Sequence, residues 1–160
     1  MTTPAQKPGK SKQDYNTPSD FIETVKARLN IDFFDLDIAA DSSNTQAIHW
    51  WSKEDDAFTH SWNFGYNWSW LNPPFANIGP YAQKAYSDGG KIAMLVPASV
   101  GANWWRDWVD GKSYVLFLNG RLKFGGCKDY YPKDCALVLY TPERFIGNEV
   151  WSWSQRRILS

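Results

Sequence analysis

The segment Trp68-Ser69-Trp70-Leu71-Asn72-Pro73-Pro74-Phe75 joins a short, mainly apolar stretch to a pair of prolines. Residues 68–71 are typical of a short strand. That strand has to end at the prolines, because proline has no N–H to donate to a neighbouring strand and restricts the conformation of the residue before it. The sequence therefore places the Asn-Pro-Pro-Phe loop at the carboxyl end of a strand.

Helix and strand patterns alternate on both sides of this loop. A helix is predicted over residues 19–29, where Thr17-Pro18-Ser19-Asp20 offers a cap and apolar residues recur at helical spacing. Apolar residues that alternate with aspartates predict a strand over 34–38, and the polar stretch 41–45 is a predicted loop. The later patterns predict a helix that starts at Pro80 and ends at Gly89, a strand over 91–96 and a helix over 102–110.

This order of elements predicts an α/β fold with a mainly parallel sheet and helices packed on its faces. The end of the chain has a different pattern. Residues 114–118 and 121–124 are typical of two strands joined by Asn119-Gly120, a dipeptide common in tight hairpins. Residues 135–140 predict one more strand. We therefore expect antiparallel strands at the C-terminal end of the sheet.

The length of 160 residues fits one domain with a single core and leaves no room for a second domain of ordinary size. Residues 1–13 contain almost nothing apolar, and such a composition cannot offset the entropy lost on ordering. The sequence therefore predicts a flexible N-terminal arm at 1–13, followed by one domain at 14–160.

Composition limits the ways in which the chain can bind nucleic acid. Its ten tryptophans are far more than usual, but large aromatic side chains more often anchor a core than stack on bases. The formal net charge of zero argues against a protein that coats nucleic acid through a broad basic field. Phosphate contacts would have to come from local clusters, each of which is also typical of a solvated surface: Lys7, Lys10 and Lys12; Arg121 and Lys123; Arg156 and Arg157.

Cys127 and Cys135 form no CxxC pair and have no histidine nearby, so we expect neither a disulfide framework nor a metal site. No apolar segment is long enough to span a bilayer, and the first residues lack the apolar core of a signal peptide. These features predict a soluble protein of the cytoplasm.

The Asn-Pro-Pro-Phe loop carries groups suited to the methylation of a nucleobase amine. The amine of adenine is a poor nucleophile because its lone pair is delocalised into the ring, so hydrogen-bond acceptors must be aimed at its N–H bonds. Asn72 offers a side-chain carbonyl, Pro73 a rigidly held backbone carbonyl, and Phe75 a ring on which an extruded base can stack. No strong base is required, since the nitrogen can lose its proton after the attack. The structural alternative is a Pro-Pro turn with an Asn cap.

The chain resembles the Dam-like DNA N6-adenine methyltransferases of bacteriophages and prophages over nearly its whole length. The resemblance implies a single-domain, Rossmann-like methyltransferase fold, S-adenosylmethionine as methyl donor, adenine in double-stranded DNA as acceptor, and the bacterial host cytoplasm as the place of action. It rests on an ordered set of motifs: Thr17-Pro18, Leu36-Asp37-Ile38-Ala39, Trp70-Leu71-Asn72-Pro73-Pro74-Phe75, Leu95-Val96-Pro97-Ala98, Trp104-Trp105 and Phe117-Leu118-Asn119-Gly120-Arg121-Leu122-Lys123-Phe124.

The resemblance also implies roles for individual residues. The catalytic loop would consist of Asn72, Pro73, Pro74 and Phe75. The cofactor would be bordered by Thr17, Pro18, Asp37 and Ala39, with the Asp37 carboxylate accepting hydrogen bonds from the methionine amino group. The chain departs from the wider methyltransferase superfamily in one respect: Ala39-Ala40-Asp41-Ser42 stands where a glycine-rich loop is usual.

The remaining candidate residues have less specific surroundings. Asp55 or Asp56, and of the two chiefly Asp56, is a candidate contact for adenosine, although an exposed acidic turn fits Glu54-Asp55-Asp56 as well. Arg121 and Lys123 would project from one face of a strand toward DNA phosphates, or else form the exposed polar face of a terminal hairpin. Trp104 and Trp105 are further candidates for DNA binding.

Other functions fit parts of the sequence. The same loop could accept hydrogen bonds from cytosine N4 or from a glutamine amide, and a catalytically idle nucleic-acid-binding module could retain the aromatic core without the cofactor. Between Asp37 and Asn72 there is no room for a recognition domain. Base reading would therefore fall to loops near 62–68 and 127–133, which predicts a short or loosely selected target.

Overall fold

The computed structural model describes residues 16–40, 45–63 and 67–154. The predicted arm at 1–13 and most of the predicted loop at 41–45 lie outside these residues. The described α-helices and strands are, in chain order, α1 Ser19–Leu29, β1 Phe34–Asp37, β2 Ala47–Trp50, β3 Ser69–Leu71, α2 Gly79–Asp88, β4 Ile92–Pro97, α3 Asn103–Trp108, β5 Tyr114–Leu118, β6 Cys135–Tyr140 and β7 Gly147–Trp151. Two short 3-10 helices, Lys53–Asp55 and Ala57–Thr59, lie between β2 and β3.

The strands form one seven-stranded sheet in the order β2-β1-β3-β4-β6-β5-β7. β1 pairs in parallel with both β2 and β3, and β3 pairs in parallel with β4. β6 runs antiparallel to β4 and β5, whereas β5 and β7 are parallel. The expected α/β fold, mainly parallel with antiparallel pairing toward the C-terminus, is confirmed, and β6 supplies that antiparallel pairing.

Strand β4 is buried on both faces of the sheet. Three of its side chains, Ile92, Met94 and Val96, belong to the core cluster that contains the buried residues of α2 and α3. Ala93 and Leu95 belong to the cluster on the other face, which includes the apolar side of α1. This alternation follows from the two-residue period of a strand, and it gives the domain three layers with the sheet in the middle.

Helix α1 has the predicted bounds, but it is not capped as expected. Pro18 occupies the N-cap position and makes no side-chain capping bond. The Asp20 carboxylate instead accepts a hydrogen bond from the Phe21 N–H at 2.8 Å, within the first turn. The helix ends at Leu29 and is followed by Asn30, whose φ of 57° lies in the left-handed region where asparagine is one of the few residues tolerated.

Helices α2 and α3 follow the sequence pattern closely. α2 has proline in its first turn, and it is followed by Gly89 with φ of 75°. α3 is shorter than predicted and ends at Trp108, whose carbonyl accepts a hydrogen bond from the buried Tyr140 hydroxyl at 2.8 Å. In the described ranges no helix is both long and apolar enough to cross a membrane.

The predicted hairpin between residues 114–118 and 121–124 is wrong. β5 already has a neighbour on each side, β6 and β7, so no edge remains for a returning strand. The backbone N–H of Asn119 donates to the Trp151 carbonyl, and the indole of Trp153 donates to the Gly120 carbonyl, both at 2.8 Å. These bonds turn the Asn-Gly pair toward the end of β7, and residues 121–124 follow as an irregular segment.

Strands β2 and β7, the two edges of the sheet, were not predicted. β2 is largely exposed and lacks a regular apolar alternation. β7 alternates between exposed and half-buried residues, and it is held in place by contacts remote in sequence. The guanidinium of Arg28 in α1 pairs with Glu149 and lies over the Trp151 ring, 5.3 Å from its centroid. Such tertiary contacts leave no local signature in the sequence.

Several of the tryptophans serve as core residues, as their usual role suggests. Trp62 and Trp70 are at most 1% exposed, and Trp105 and Trp153 are also buried. Trp62 lies with the α2 face of the sheet and Trp70 with the α1 face. The abundance of tryptophan is thus explained in part by packing on both sides of the sheet.

Ser69 carries a buried hydroxyl whose removal should not destabilise the domain. It is 1% exposed in β3, and its hydroxyl has no hydrogen-bond partner among the described residues. An unsatisfied buried polar group costs about 1–3 kcal/mol. We therefore expect Ser69→Ala to leave the free energy of unfolding unchanged or to raise it by up to about 1 kcal/mol, measured by urea denaturation.

Ser113→Ala is the matched control. Ser113 is equally buried, but its hydroxyl donates to the Val109 carbonyl at 2.8 Å. Its removal should lower the free energy of unfolding by about 0.5–1.5 kcal/mol. Equal destabilisation of the two alanine variants would contradict the prediction, because it would mean that the Ser69 hydroxyl is hydrogen-bonded in solution, for example to a buried water.

Candidate active site

The Asn-Pro-Pro-Phe loop follows β3 directly and lies at the carboxyl edge of the parallel strands. β3 pairs with β1, with Asp37 opposite Trp70, so the ends of these two strands are neighbours. β1 also marks a reversal of strand order, because the chain passes from β1 to β2 on one side and then to β3 on the other. Open α/β sheets bind ligands at such a position.

Asn72 is tied to the segment before α1. Its side-chain amide donates a hydrogen bond to the Thr17 hydroxyl at 3.2 Å, and Thr17 is 7% exposed. The neighbouring Asn16 forms an antiparallel bridge with Gly125, whose N–H donates to the Asn16 carbonyl at 2.8 Å. The structure thus brings the predicted catalytic asparagine and one predicted cofactor residue into direct contact.

Two acceptors of the loop keep their capacity for a ligand. Among the described residues, neither the Asn72 side-chain carbonyl oxygen nor the Pro73 backbone carbonyl has a hydrogen-bond partner. The Pro74 carbonyl, by contrast, accepts from the Asn77 N–H at 3.0 Å and closes a turn that leads into α2. The two unused oxygens are those that the sequence assigned to the target amine.

Phe75 is half-buried and held by other aromatic rings. Its ring meets Phe124 at a centroid distance of 6.1 Å and Tyr131 at 5.5 Å, in both cases edge to face. Aromatic pairs prefer this geometry because the positive edge of one ring meets the negative face of the other. The segment after β5 therefore supports the Asn-Pro-Pro-Phe loop from one side.

Asp37 is the last residue of β1 and is buried. Its carboxylate accepts hydrogen bonds from the Gln46 N–H at 2.8 Å and from the Ala39 N–H at 3.4 Å. With 2% exposure, this carboxylate orders the backbone that borders the edge of the sheet. The expected contact with a cofactor amine stays a prediction.

A cavity of about 210 Å³ opens beside the end of β1. Two predicted cofactor residues, Ala39 and Asp56, belong to its wall. The cavity adjoins β3, since the Ile38 N–H in its wall donates a backbone hydrogen bond to the Trp70 carbonyl of β3 at 3.0 Å. The other lining residues are Ala40, Trp51, Ser52, Lys53, Ala57, Phe58 and Tyr81.

The two aspartates of the acidic turn beside this cavity, Asp55 and Asp56, have different surroundings. The Asp55 carboxylate accepts from the N–H and the hydroxyl of Ser52, and these bonds hold its pKa below the usual value. Asp56 has a left-handed φ of 49° and accepts from the Phe58 N–H at 3.3 Å. Asp56 is thus the acidic residue of the turn that reaches the cavity.

The aromatic wall of the cavity was missed from the sequence. Trp51 stacks on His60 with ring centroids 4.6 Å apart, and Phe58 meets Tyr81 edge to face at 4.7 Å. Burial raises the pKa of Tyr81, and the charge of Asp56 raises it further, so its hydroxyl stays protonated at neutral pH. These residues come from three separate segments of the chain. The only signal in the sequence was the alternation of strands and helices, which places such segments at one edge of a sheet.

Arg121 and Lys123 border a second, larger depression of about 450 Å³ at the same edge. Pro18, a predicted cofactor residue, lines it as well. The two cations do not lie on a strand as expected, but they are exposed while Leu122 and Phe124 are buried. Arg121 pairs with Asp134 at 3.2 Å, and the Lys123 ammonium lies 6.0 Å from the centroid of the Tyr130 ring.

The structure separates Trp104 and Trp105 from this depression. Trp105 is 5% exposed and stacks on Phe117, with ring centroids 6.0 Å apart. Trp104 is half-buried beside Gly79, at the start of α2. Trp105 thus has the surroundings of a packing residue, and Trp104 is the more accessible of the pair.

Comparison with known proteins agrees with this architecture. A family model described as DNA N-6-adenine-methyltransferase (Dam) matches residues 5–137. A DNA N-6-adenine-methyltransferase of Haemophilus phage HP1 (strain HP1c1) is 27% identical, with 92% of this chain and 90% of the phage protein aligned. Because the family model covers most of the sequence, the chain belongs to the DNA N-6-adenine-methyltransferase (Dam) family.

Proposed function

We propose that this protein transfers the methyl group of S-adenosylmethionine to N6 of an adenine in DNA, with the base turned out of the duplex toward residues 72–75. The observation that carries the proposal is the pair of unused acceptors on one rigid loop, the Asn72 side-chain oxygen and the Pro73 carbonyl. An exocyclic amine has two N–H bonds, and two fixed acceptors match them. Membership of the Dam family supports adenine as the base.

The reaction requires little acid–base chemistry from the protein. S-adenosylmethionine supplies an electrophilic methyl group on a positively charged sulfur. The adenine N6 lone pair forms the new C–N bond as the C–S bond breaks, and one N6 proton is then released to solvent. Acceptors that are already in place stabilise the positive charge that develops on nitrogen, without any reorganisation during the step. S-adenosylhomocysteine and N6-methyladenine are the products.

The cavity beside β1 fits the adenosine part of the methyl donor. Its wall combines aromatic rings from Trp51, Phe58 and Tyr81 with the carboxylate of Asp56. Aromatic faces suit a purine, and a carboxylate suits ribose hydroxyls or a base amine. Thr17, Pro18 and Asp37 would lie on the side that faces the catalytic loop. Ala39 takes the place of a glycine at this site and leaves its methyl group in the cavity wall.

DNA would approach the same edge from the side of residues 119–134. Arg121 and Lys123 are exposed there, and both are suited to phosphate oxygens. Phe75 would stack on the flipped base, while Trp104 would supply an aromatic contact nearby. The basic residues before position 16 lie outside the described residues and would add phosphate contacts. Because base reading would fall to short loops, we expect a short target site. We also expect action in a bacterial cytoplasm, where DNA and the donor occur together.

The decisive test incubates the purified protein with isotopically labelled S-adenosylmethionine and unmethylated DNA, followed by mass spectrometry of the nucleosides. We expect labelled N6-methyladenine. Asn72→Ala should lower kcat by about 100-fold or more, because one preorganised hydrogen-bonding group is worth that much. Asn77→Ala, an exposed asparagine in the same loop, is the matched control and should keep near wild-type turnover.

Other products would redirect the proposal. Labelled N4-methylcytosine would move the target to cytosine, whose amine fits the same two acceptors. Methyl transfer to a glutamine side chain of a protein would exclude DNA as the substrate. Absence of any transfer, together with intact binding of DNA, would favour an idle binding module.

Filling the cavity beside β1 should weaken binding of the methyl donor. Ala39→Leu adds three carbon atoms to its wall, and overpacking of this kind costs about 1–3 kcal/mol. We expect the Kd of S-adenosylmethionine in isothermal titration calorimetry to rise about 5- to 150-fold. Ala76→Leu, at the exposed position that follows the catalytic loop, should bind the donor normally. Equal affinity in both variants would place the donor outside this cavity.

Replacement of the two cations should weaken DNA binding at all sequences alike. We expect Arg121→Ala and Lys123→Ala each to reduce the slope of log K against log salt concentration by about one. Arg144→Ala is the control, since Arg144 follows β6 at the opposite edge of the sheet, where its guanidinium lies 4.0 Å from the centroid of the Tyr86 ring. A slope that changed only in the Arg144 variant would place the DNA at that other edge.

A further inference from the structure

The amide of Asn72 has two chemically different ends, and only one of them suits the target. The oxygen accepts hydrogen bonds, whereas the NH2 group donates them. The amine of adenine is itself a donor, so it must meet the oxygen. A rotation of the amide by half a turn would present the NH2 group and set donor against donor. Some neighbour therefore has to determine the orientation of this side chain.

Thr17 is placed to do this. Its hydroxyl oxygen accepts from the Asn72 NH2 group at 3.2 Å, and no other side chain among the described residues has a hydrogen bond to Asn72. The contact joins residues 55 positions apart in the chain, so it exists only in the folded protein. While the NH2 group is engaged with Thr17, the oxygen of the same amide points away from it.

The position of the Thr17 hydroxyl is itself well defined. The side chain is 7% exposed, and the residue that follows is proline, with φ of −59° and ψ of 135°. The Pro18 carbonyl accepts from the Ile22 N–H at 3.1 Å and thereby joins this segment to α1. On the other side, Asn16 is bridged to Gly125. The hydroxyl is thus held between two anchored neighbours.

We propose that Thr17 is a positioning residue that fixes which end of the Asn72 amide faces the flipped base. The inference rests on the proposed function, and it assigns to Thr17 a role in the chemistry beyond any contact with the cofactor. The Thr17 oxygen is the acceptor in this bond, so the proton of the same hydroxyl group is not used in it.

The first test compares Thr17→Val, which keeps the shape but removes the acceptor, with Thr17→Ser, which keeps the hydroxyl. We expect kcat to fall about tenfold in Thr17→Val, the effect of losing one ordinary hydrogen bond, and to recover in Thr17→Ser. Thermal unfolding should change little in either variant, and kcat is measured at a saturating concentration of S-adenosylmethionine so that a change in the Kd of the donor does not affect it. A loss that appeared only in the Kd of the donor would mean that Thr17 serves the cofactor alone.

The second test distinguishes amide orientation from a general structural effect. It uses an unmethylated duplex with adenine at a position that the wild-type protein methylates. The second substrate is the same duplex with hypoxanthine in place of that adenine. Hypoxanthine presents an oxygen where adenine presents the amine, so a correctly oriented Asn72 rejects it and a rotated one accepts it. Hypoxanthine is easier than adenine to turn out of the duplex, but this difference is the same for every variant. It therefore cancels when the ratio of the two Kd values is compared between variants.

We expect the preference for adenine over hypoxanthine to shrink about fivefold or more in Thr17→Val and to be retained in Thr17→Ser. If the wild-type protein is active and the preference is unchanged in Thr17→Val, the positioning role of Thr17 is overturned, but the proposed function is not. A wild-type protein that methylates no adenine would overturn the proposed function, and this inference with it. The two failures are therefore distinguishable.

Discussion

The inability of Pro73 and Pro74 to extend a strand determines where the candidate site of this domain lies. β3 stops one residue before them, and the Pro74 carbonyl then closes the turn that starts α2. Ordinary strand residues at these positions would use their carbonyls in the sheet. The prolines instead leave the Pro73 carbonyl without a backbone partner in the described residues, next to the side chain of Asn72. Strand termination and acceptor geometry thus have the same cause.

Local pattern was sufficient for the elements whose side chains alternate or recur regularly. α1, α2 and the buried strands β4, β5 and β6 could be predicted because each has an apolar period or a turn residue at its end. The edges β2 and β7 could not, since they depend on pairing and on contacts such as Arg28 with Glu149. The hairpin at Asn119-Gly120 failed for a related reason: the turn signal was local, but both sides of β5 were already occupied.

Some residues of the candidate site could likewise be recognised from local sequence, and others could not. Asn72, Pro73 and Phe75 are adjacent in the chain, so their joint presence was visible without a structure. The cavity wall of Trp51, Phe58 and Tyr81 comes from separate segments, and each of these residues has an ordinary explanation on its own. The contact between Thr17 and Asn72 belongs to this second kind. Trp105 shows the converse, because a residue within a family motif is buried in the core.

The bridge between Asn16 and Gly125 has a consequence for how the domain is assembled. It joins the start of the described chain to a segment beyond β5. The pairing of the central strand β4 likewise requires β6, which comes later in the chain. Long-range closure of this kind slows folding, because the entropy of ordering the intervening chain is lost before the contact forms. During synthesis, the ribosome must therefore release most of the polypeptide before the edge that holds Asn72 can mature. Until then, the edge of β4 that pairs with β6 has no neighbouring strand.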